Sequence, residues 1–168
     1  MNAQVFADEG VLFGLNIPKS VNSLLQAGVV ATRNDKLKAE RLLRQAYHLD
    51  RHCLQTYFAL YKFHFHHRNF LEAEYFVLAA LDEAATQDGF PSDYQRLYRD
   101  RAEWNMYANE IRLFYLYSLK ALAFIKLRRE QIIQAQIILA IMKELDPNDR
   151  SGVSVIMDLA AALEEGQE

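Results

Sequence analysis

Three of the chain's five histidines fall within four positions, in the stretch Tyr61-Lys62-Phe63-His64-Phe65-His66-His67-Arg68-Asn69-Phe70. His48 and His52 lie just upstream, and the single cysteine, Cys53, follows at once. Imidazole nitrogens and a thiolate sulfur are the ligands that zinc and similar metals take. His48 and His52, four apart, can share a helix face, as can His64 and His67, three apart. The spacing nevertheless matches no compact metal motif. There is no HExxH, no CxxC, and no Asp or Glu among residues 51–71 to orient a ligating ring. General acid–base chemistry would need a positioned partner for one of the imidazoles, and none is identifiable. Nor is there a phosphate-cradling glycine loop, a nucleophile elbow or a dinucleotide fingerprint. The residues therefore point away from an enzyme and from any cofactor. A metal-binding helical protein using His48, His52, Cys53, His64 and His67 stands as the alternative.

A second candidate is Asp93-Tyr94-Gln95-Arg96-Leu97-Tyr98-Arg99-Asp100-Arg101-Ala102-Glu103-Trp104, where aromatics alternate with arginines. Tyr94, Tyr98 and Arg101 share a helix face that could stack bases or a peptide. The interleaved acids Asp93, Asp100 and Glu103 can pair with the arginines instead, and the net charge of −3 argues against nucleic acid or an anionic membrane as partner. At 168 residues and 51% hydrophobic content the chain is long and apolar enough for one domain with its own core. Six Gly and three Pro give little loop punctuation. A lone cysteine excludes an internal disulfide. The first residues lack the basic start and long apolar core of a secretory leader, and no apolar run is long enough to span a bilayer. The expectation is a cytoplasmic protein.

The periodicity predicts helices throughout. Runs are expected over 21–32, 36–49, 54–66 and 70–86, with Ser20 as a cap of the first. On the second, Leu37, Leu42, Leu43, Ala46 and Tyr47 form the apolar face; on the fourth, Leu71, Phe76, Val77, Ala80 and Leu81. Gly89 and Pro91 make the clearest stop. From 93 to 128 two helices with a break near 105–109 are expected, then a helix to Leu145. Pro147 enforces a turn. A last helix over 151–164 buries Val155, Ile156, Leu159 and Leu163.

Helix pairs on short turns call for a self-comparison. A shift of 34 residues places Leu37 on Leu71, Ala39 on Ala73, Glu40 on Glu74 and Ala46 on Ala80. Near the C-terminus, Tyr117, Ala121 and Phe124 followed by Leu145-Asp146-Pro147-Asn148 form a third unit, about two residues too long, with the excess assigned to the turn at Arg128-Arg129-Glu130. This period and these small residues resemble the tetratricopeptide repeat. The resemblance implies an all-α fold of about three helix-pair units (20–53, 54–87 and 114–149) in one domain. It leaves an insert over 88–113 and a capping helix over 151–164. Ala27 takes the small slot of the first unit's leading helix; Tyr61 stands in that slot in the second. In this register His64 packs between helices, His66 faces the groove, and His67 sits in a turn.

In that family the leading helices line a binding groove. Carried over, the groove residues are Leu24, Gly28, Phe58, Lys62, Phe65, His66, Tyr115, Leu122 and Lys126. The resemblance thus implies a non-catalytic scaffold or adaptor. It would bind another protein through a peptide or helix with apolar anchors and acidic character, and homo-oligomerisation is left open. A small secretion-type chaperone is a variant of the same expectation.

Overall fold

The computed structural model describes residues 17–166, and all regular structure among them is helical. In chain order the helices are α1 (Lys19–Ala31), α2 (Lys36–Leu49), α3 (Leu54–His66), α4 (Phe70–Asp88), α5 (Tyr94–Arg99), α6 (Glu110–Arg128), α7 (Ile132–Leu145) and α8 (Ser154–Glu165), with a single 3₁₀ turn, Arg101–Glu103, after α5. None is long and apolar enough to cross a membrane.

Local chemistry sets the boundaries. Asp35 accepts from Lys38 N–H at 3.0 Å to cap α2, Asp93 from Gln95 N–H at 2.9 Å to cap α5, and Asn109 from Arg112 N–H at 2.9 Å to cap α6. Each side chain satisfies a backbone donor that the helix itself leaves orphaned. Ser20 lies inside α1, whose cap is Pro18. Gly89, at φ 71°, ends α4 in the left-handed conformation that glycine adopts without a Cβ penalty.

Helices α1 and α2, α3 and α4, and α6 and α7 pack as pairs; α4 also packs along α6, α5 on α7, and α8 on both α6 and α7. Helix α4 runs antiparallel to α6: Asp88 at the end of α4 pairs with Arg112 at the start of α6, and Glu74 near the start of α4 pairs with Lys126 and Arg129 at the end of α6. The α3–α4 and α6–α7 turns are the same turn. Arg68 N–H donates to Phe65 O and Asn69 N–H to His64 O; Glu130 N–H donates to Leu127 O and Gln131 N–H to Lys126 O. Arg68 and Glu130 both sit at φ 60°. This doubly bonded left-handed cap saturates the last helical carbonyls and reverses the chain.

The small residues Ala39, Ala46, Ala73 and Ala80, and Ala135 on α7, are all fully buried, so paired helices approach closely there. Three expectations change. Leu37 and Leu71 are 79% and 67% exposed, so the buried faces of α2 and α4 are narrower than the apolar periodicity. On α8 only Ile156 of the expected four is buried, while Val155 and Leu163 lie 43% and 46% exposed. On α1 the close approach to α2 is made at Gly28, while Ala27 faces outward. A Cβ on Gly28 would lie 2.8 Å from Leu43 Cδ2.

Candidate functional site

The histidines separate. His64 is buried, its ring stacked on Phe76 at 5.7 Å, with Nε2 4.0 Å from Glu40 Oε1. His67 ends α3, its Nδ1 2.8 Å from Phe63 O. His52 points away to Glu83, Nδ1 to Oε1 at 2.8 Å, and His48 lies against the Tyr47 ring. Cys53 is buried and donates to Gln55 Oε1 at 3.4 Å. The proposed metal ligands thus do not converge, and no cluster of three or more His, Cys, Asp or Glu among the described residues is placed to hold a metal ion. Burial pushes the His64 pKa down; burial, then the Lys62 and His67 charges, do the same to His66. The Glu83 carboxylate pushes that of His52 up.

The groove residues assigned from sequence divide in two. Leu24 on α1 and Phe58, Lys62 and His66 on α3 are half-buried along one side, with Lys62 Nζ 5.6 Å from the Phe58 ring centroid. Phe65 is buried beside them and meets the Phe124 ring of α6 at 4.8 Å, which joins the two helices. The other four lie elsewhere. Gly28 packs on Leu43 inside the α1–α2 pair. Tyr115 and Leu122 are buried to 0% and 1%, and the Tyr115 hydroxyl donates to Ser92 O at 2.6 Å. Lys126 turns toward α4 and pairs with Glu74.

The physical reason is register. Glu130 occupies the place of Arg68, and Ala135 that of Ala73, so the α6–α7 turn holds no excess residues. Counting back from the matched turns, Ala123 stands for Tyr61, and Lys126 stands for His64. Glu74–Lys126 then repeats Glu40–His64, one helix pair further on. The α6 residues that correspond to Phe58, Lys62 and His66 are Lys120, Phe124 and Arg128. Lys120 is buried, with Nζ 4.9 Å from the Tyr117 ring centroid and donating to Ser151 O at 2.7 Å. The Arg128 guanidinium lies 5.4 Å from the Phe70 ring centroid. The combined α3–α6 stripe is aromatic and cationic, and none of these six positions carries an acid.

The sequence reading missed two further arrangements. Glu74, a carboxylate buried amid apolar side chains, gathers Lys126 and Arg129; its alignment with Glu40 was the available signal. Asp146, buried in the turn before α8, accepts from the Tyr107 hydroxyl, from Arg150 and Ser151 N–H at 2.8 and 2.9 Å, and from the Ser151 hydroxyl at 2.6 Å. It ties the 104–109 loop to the end of the fold. Burial first, then the Asp146 carboxylate, push the Tyr107 phenol up to about 12.

The arginine–tyrosine segment resolves into local pairs. Arg96 Nε lies 3.9 Å from Asp100, and the Arg101 guanidinium 4.5 Å from the Tyr98 ring centroid. Two clefts open elsewhere. One of about 690 Å³ lies between α5 and α7 beside Tyr98 and Ile137; one of about 740 Å³ lies where α6, α7 and α8 meet at Phe124, Leu127 and Leu163. Comparison of the chain with protein-family models, with curated proteins and with solved structures finds no match.

Proposed function

We propose that this chain is a non-catalytic protein-interaction scaffold of tetratricopeptide type, and that its partner face is the stripe shared by α3 and α6. The observation that carries this reading is the row of part-exposed side chains Phe58, Lys62 and His66 on α3, continued by the exposed Arg128 at the matched position at the end of α6. Supporting it are the three helix pairs, the buried alanines that repeat at the period of 34 residues, and a final helix packed on the last pair. Stacked helix pairs present extended surfaces to other chains, and their terminal helix shields the open end. Aromatic side chains among amino, imidazole and guanidinium groups suit a peptide or helix with apolar anchors and acidic side chains.

The test is affinity capture from the native source, read by mass spectrometry, with Phe58→Ser/Lys62→Glu as the control. Loss of specific partners with unchanged helical circular dichroism is expected. Partners retained at wild-type yield would overturn the assignment.

A further inference from the structure

We propose that the exposed face shared by α2 and α4 is where two copies of this chain meet, with α2 of one copy lying against α4 of its partner. Four large apolar side chains stand out from this face: Leu37 on α2, and Leu71, Tyr75 and Leu78 on α4, the last two 59% and 45% exposed. The three on α4 follow one another at helical spacing, and Leu37 holds the place that Leu71 holds one repeat later. The two helices adjoin. Arg44 donates to Glu72 at 3.2 Å, and the Tyr47 ring centroid lies 5.7 Å from that of Phe76. Single exposed leucines are ordinary on a protein surface, but a contiguous apolar patch of more than a few hundred Å² marks a place where something binds.

Charge names the occupant. Helix α2 carries Lys36, Lys38, Arg41 and Arg44 against one acid, Glu40, whereas α4 holds no lysine or arginine at all. Its exposed side bears Glu72 and Asp82 instead. Within one copy the Arg44–Glu72 pair spans the two helices, while Lys38, Arg41 and Asp82 have no ion-pair partner among the described residues. A face with one cationic half and one acidic half is complementary to itself. A two-fold axis between the helices turns the cationic half of each copy onto the acidic half of the other, so every favourable contact is made twice. A nucleic acid or an anionic bilayer would be repelled by α4, and a foreign helix would have to carry the inverse pattern. Side by side, the helices are roughly 20 Å across and about 21–28 Å long, a projected face of roughly 500 Å². The accessible area of such a ridged surface is larger and approaches the roughly 800 Å² per copy that a standard interface buries. Phe58, Lys62 and His66 lie on α3, outside this face, so one dimer would present that row twice and hold a partner with repeated motifs more tightly than a single copy.

Analytical ultracentrifugation of the full chain reads the assembly. A dimer is expected, and a monomer at roughly 100 μM overturns the proposal. Two charge variants then locate the contact. Lys38→Glu/Arg41→Glu makes the cationic half acidic, and Glu72→Lys/Asp82→Lys makes the acidic half cationic. Each alone should raise the dissociation constant by about tenfold or more, with helical circular dichroism unchanged. Mixed together, the two should associate again, because the acidic α2 of one meets the cationic α4 of the other and the two unaltered halves meet as before. A variant that merely misfolds is not rescued by mixing. Leu71→Ser should also weaken the dimer, whereas Ile133→Ser, at an exposed site on α7, should not. A dimer that survives both charge variants, or that yields to Ile133→Ser and not to Leu71→Ser, places the contact elsewhere and overturns the proposal. So does a mixture that stays monomeric.

Discussion

Glu74 on α4 holds Lys126 on α6 at the same place in the helix stack where Glu40 on α2 faces His64 on α3. The two contacts differ in burial: the Glu74 and Lys126 side chains are 10% and 15% exposed, whereas Glu40 is 30% exposed and also bonds Arg44. Removing one partner of a largely buried ion pair leaves the other charge poorly solvated, whereas the buried His64, its pKa held below the ordinary value, is neutral near pH 7 and offers Glu40 no ion pair to lose. Glu74→Gln should therefore destabilise the fold by about 2–3 kcal/mol, with Lys126 and Arg129 left without their carboxylate. Glu40→Gln should cost less than about 1 kcal/mol. Urea unfolding of the two variants measures the difference, and equal costs would mean that the junction between the second and third pairs does not depend on this cluster.

Gly28 and Ala27 give a sharper test of helix register. A branched side chain at Gly28 must displace Leu43, which is buried in the α1–α2 interface. Overpacking of this kind costs about 1–3 kcal/mol. Gly28→Val should fall in that range even though valine is a better helix former than glycine. Ala27→Val, on the exposed side of α1, should cost under about 1 kcal/mol, the propensity difference alone. Thermal unfolding of the pair settles which residue occupies the close-approach position.

The histidines should titrate in opposite directions about the ordinary value of 6.5. His64 and His66 are held below it, so the unfolded chain binds protons that the folded chain refuses. Stability then rises with pH through the window between their depressed values and 6.5, and is lost as pH falls through it. His52 has the opposite sign: its pairing with Glu83 stabilises the protonated folded form below 6.5, and this contribution disappears as pH rises through the raised value. Imidazole NMR titration should place His64 and His66 below His52. His64→Phe should flatten the acid-side loss of stability, and an unchanged slope would assign that loss to other groups.

Much of the helical layout was legible because its stops are chemical. Gly89 with Pro91, Asp35, Asn109 and Pro147 each make a local demand on the backbone that a reader can see. The register was harder because small residues come in near-neighbours. Ala27 and Gly28 adjoin, and Ala121 and Ala123 lie two residues apart, so composition alone cannot choose between them. Side-chain size at Tyr61 obscured the second unit in the same way. The errors then propagated: placing Ala121 in the slot moved the expected surface of α6 onto Leu122, which is buried, and Lys126, which pairs with Glu74. The missing information was the left-handed backbone at Arg68 and Glu130. Neither residue is a glycine, and nothing about an arginine or a glutamate announces a positive φ. Leu37 and Leu71 misled for a different reason, since each extends an apolar helical stripe beyond the width that the neighbouring helices cover.

The matched caps make the last prediction. Arg68 and Glu130 hold φ near 60°, where a Cβ crowds the following carbonyl. The penalty for a residue other than glycine is roughly 1–2 kcal/mol. Glycine removes it but restores freedom to the unfolded chain, which takes back about 0.4–1 kcal/mol. Arg68→Gly and Glu130→Gly should each stabilise the protein by roughly 0.5–1 kcal/mol. Glycine one residue earlier, at His67 or Arg129, should destabilise, because φ there is −90° and −92° and each site loses a contact, to Phe63 O and to Glu74 respectively. Chemical denaturation of the four single variants reads the sign directly. A stabilising pair at the two matched turns would show that α3–α4 and α6–α7 share one closing geometry in solution; destabilisation at either would break the equivalence on which the Lys120, Phe124 and Arg128 assignment depends.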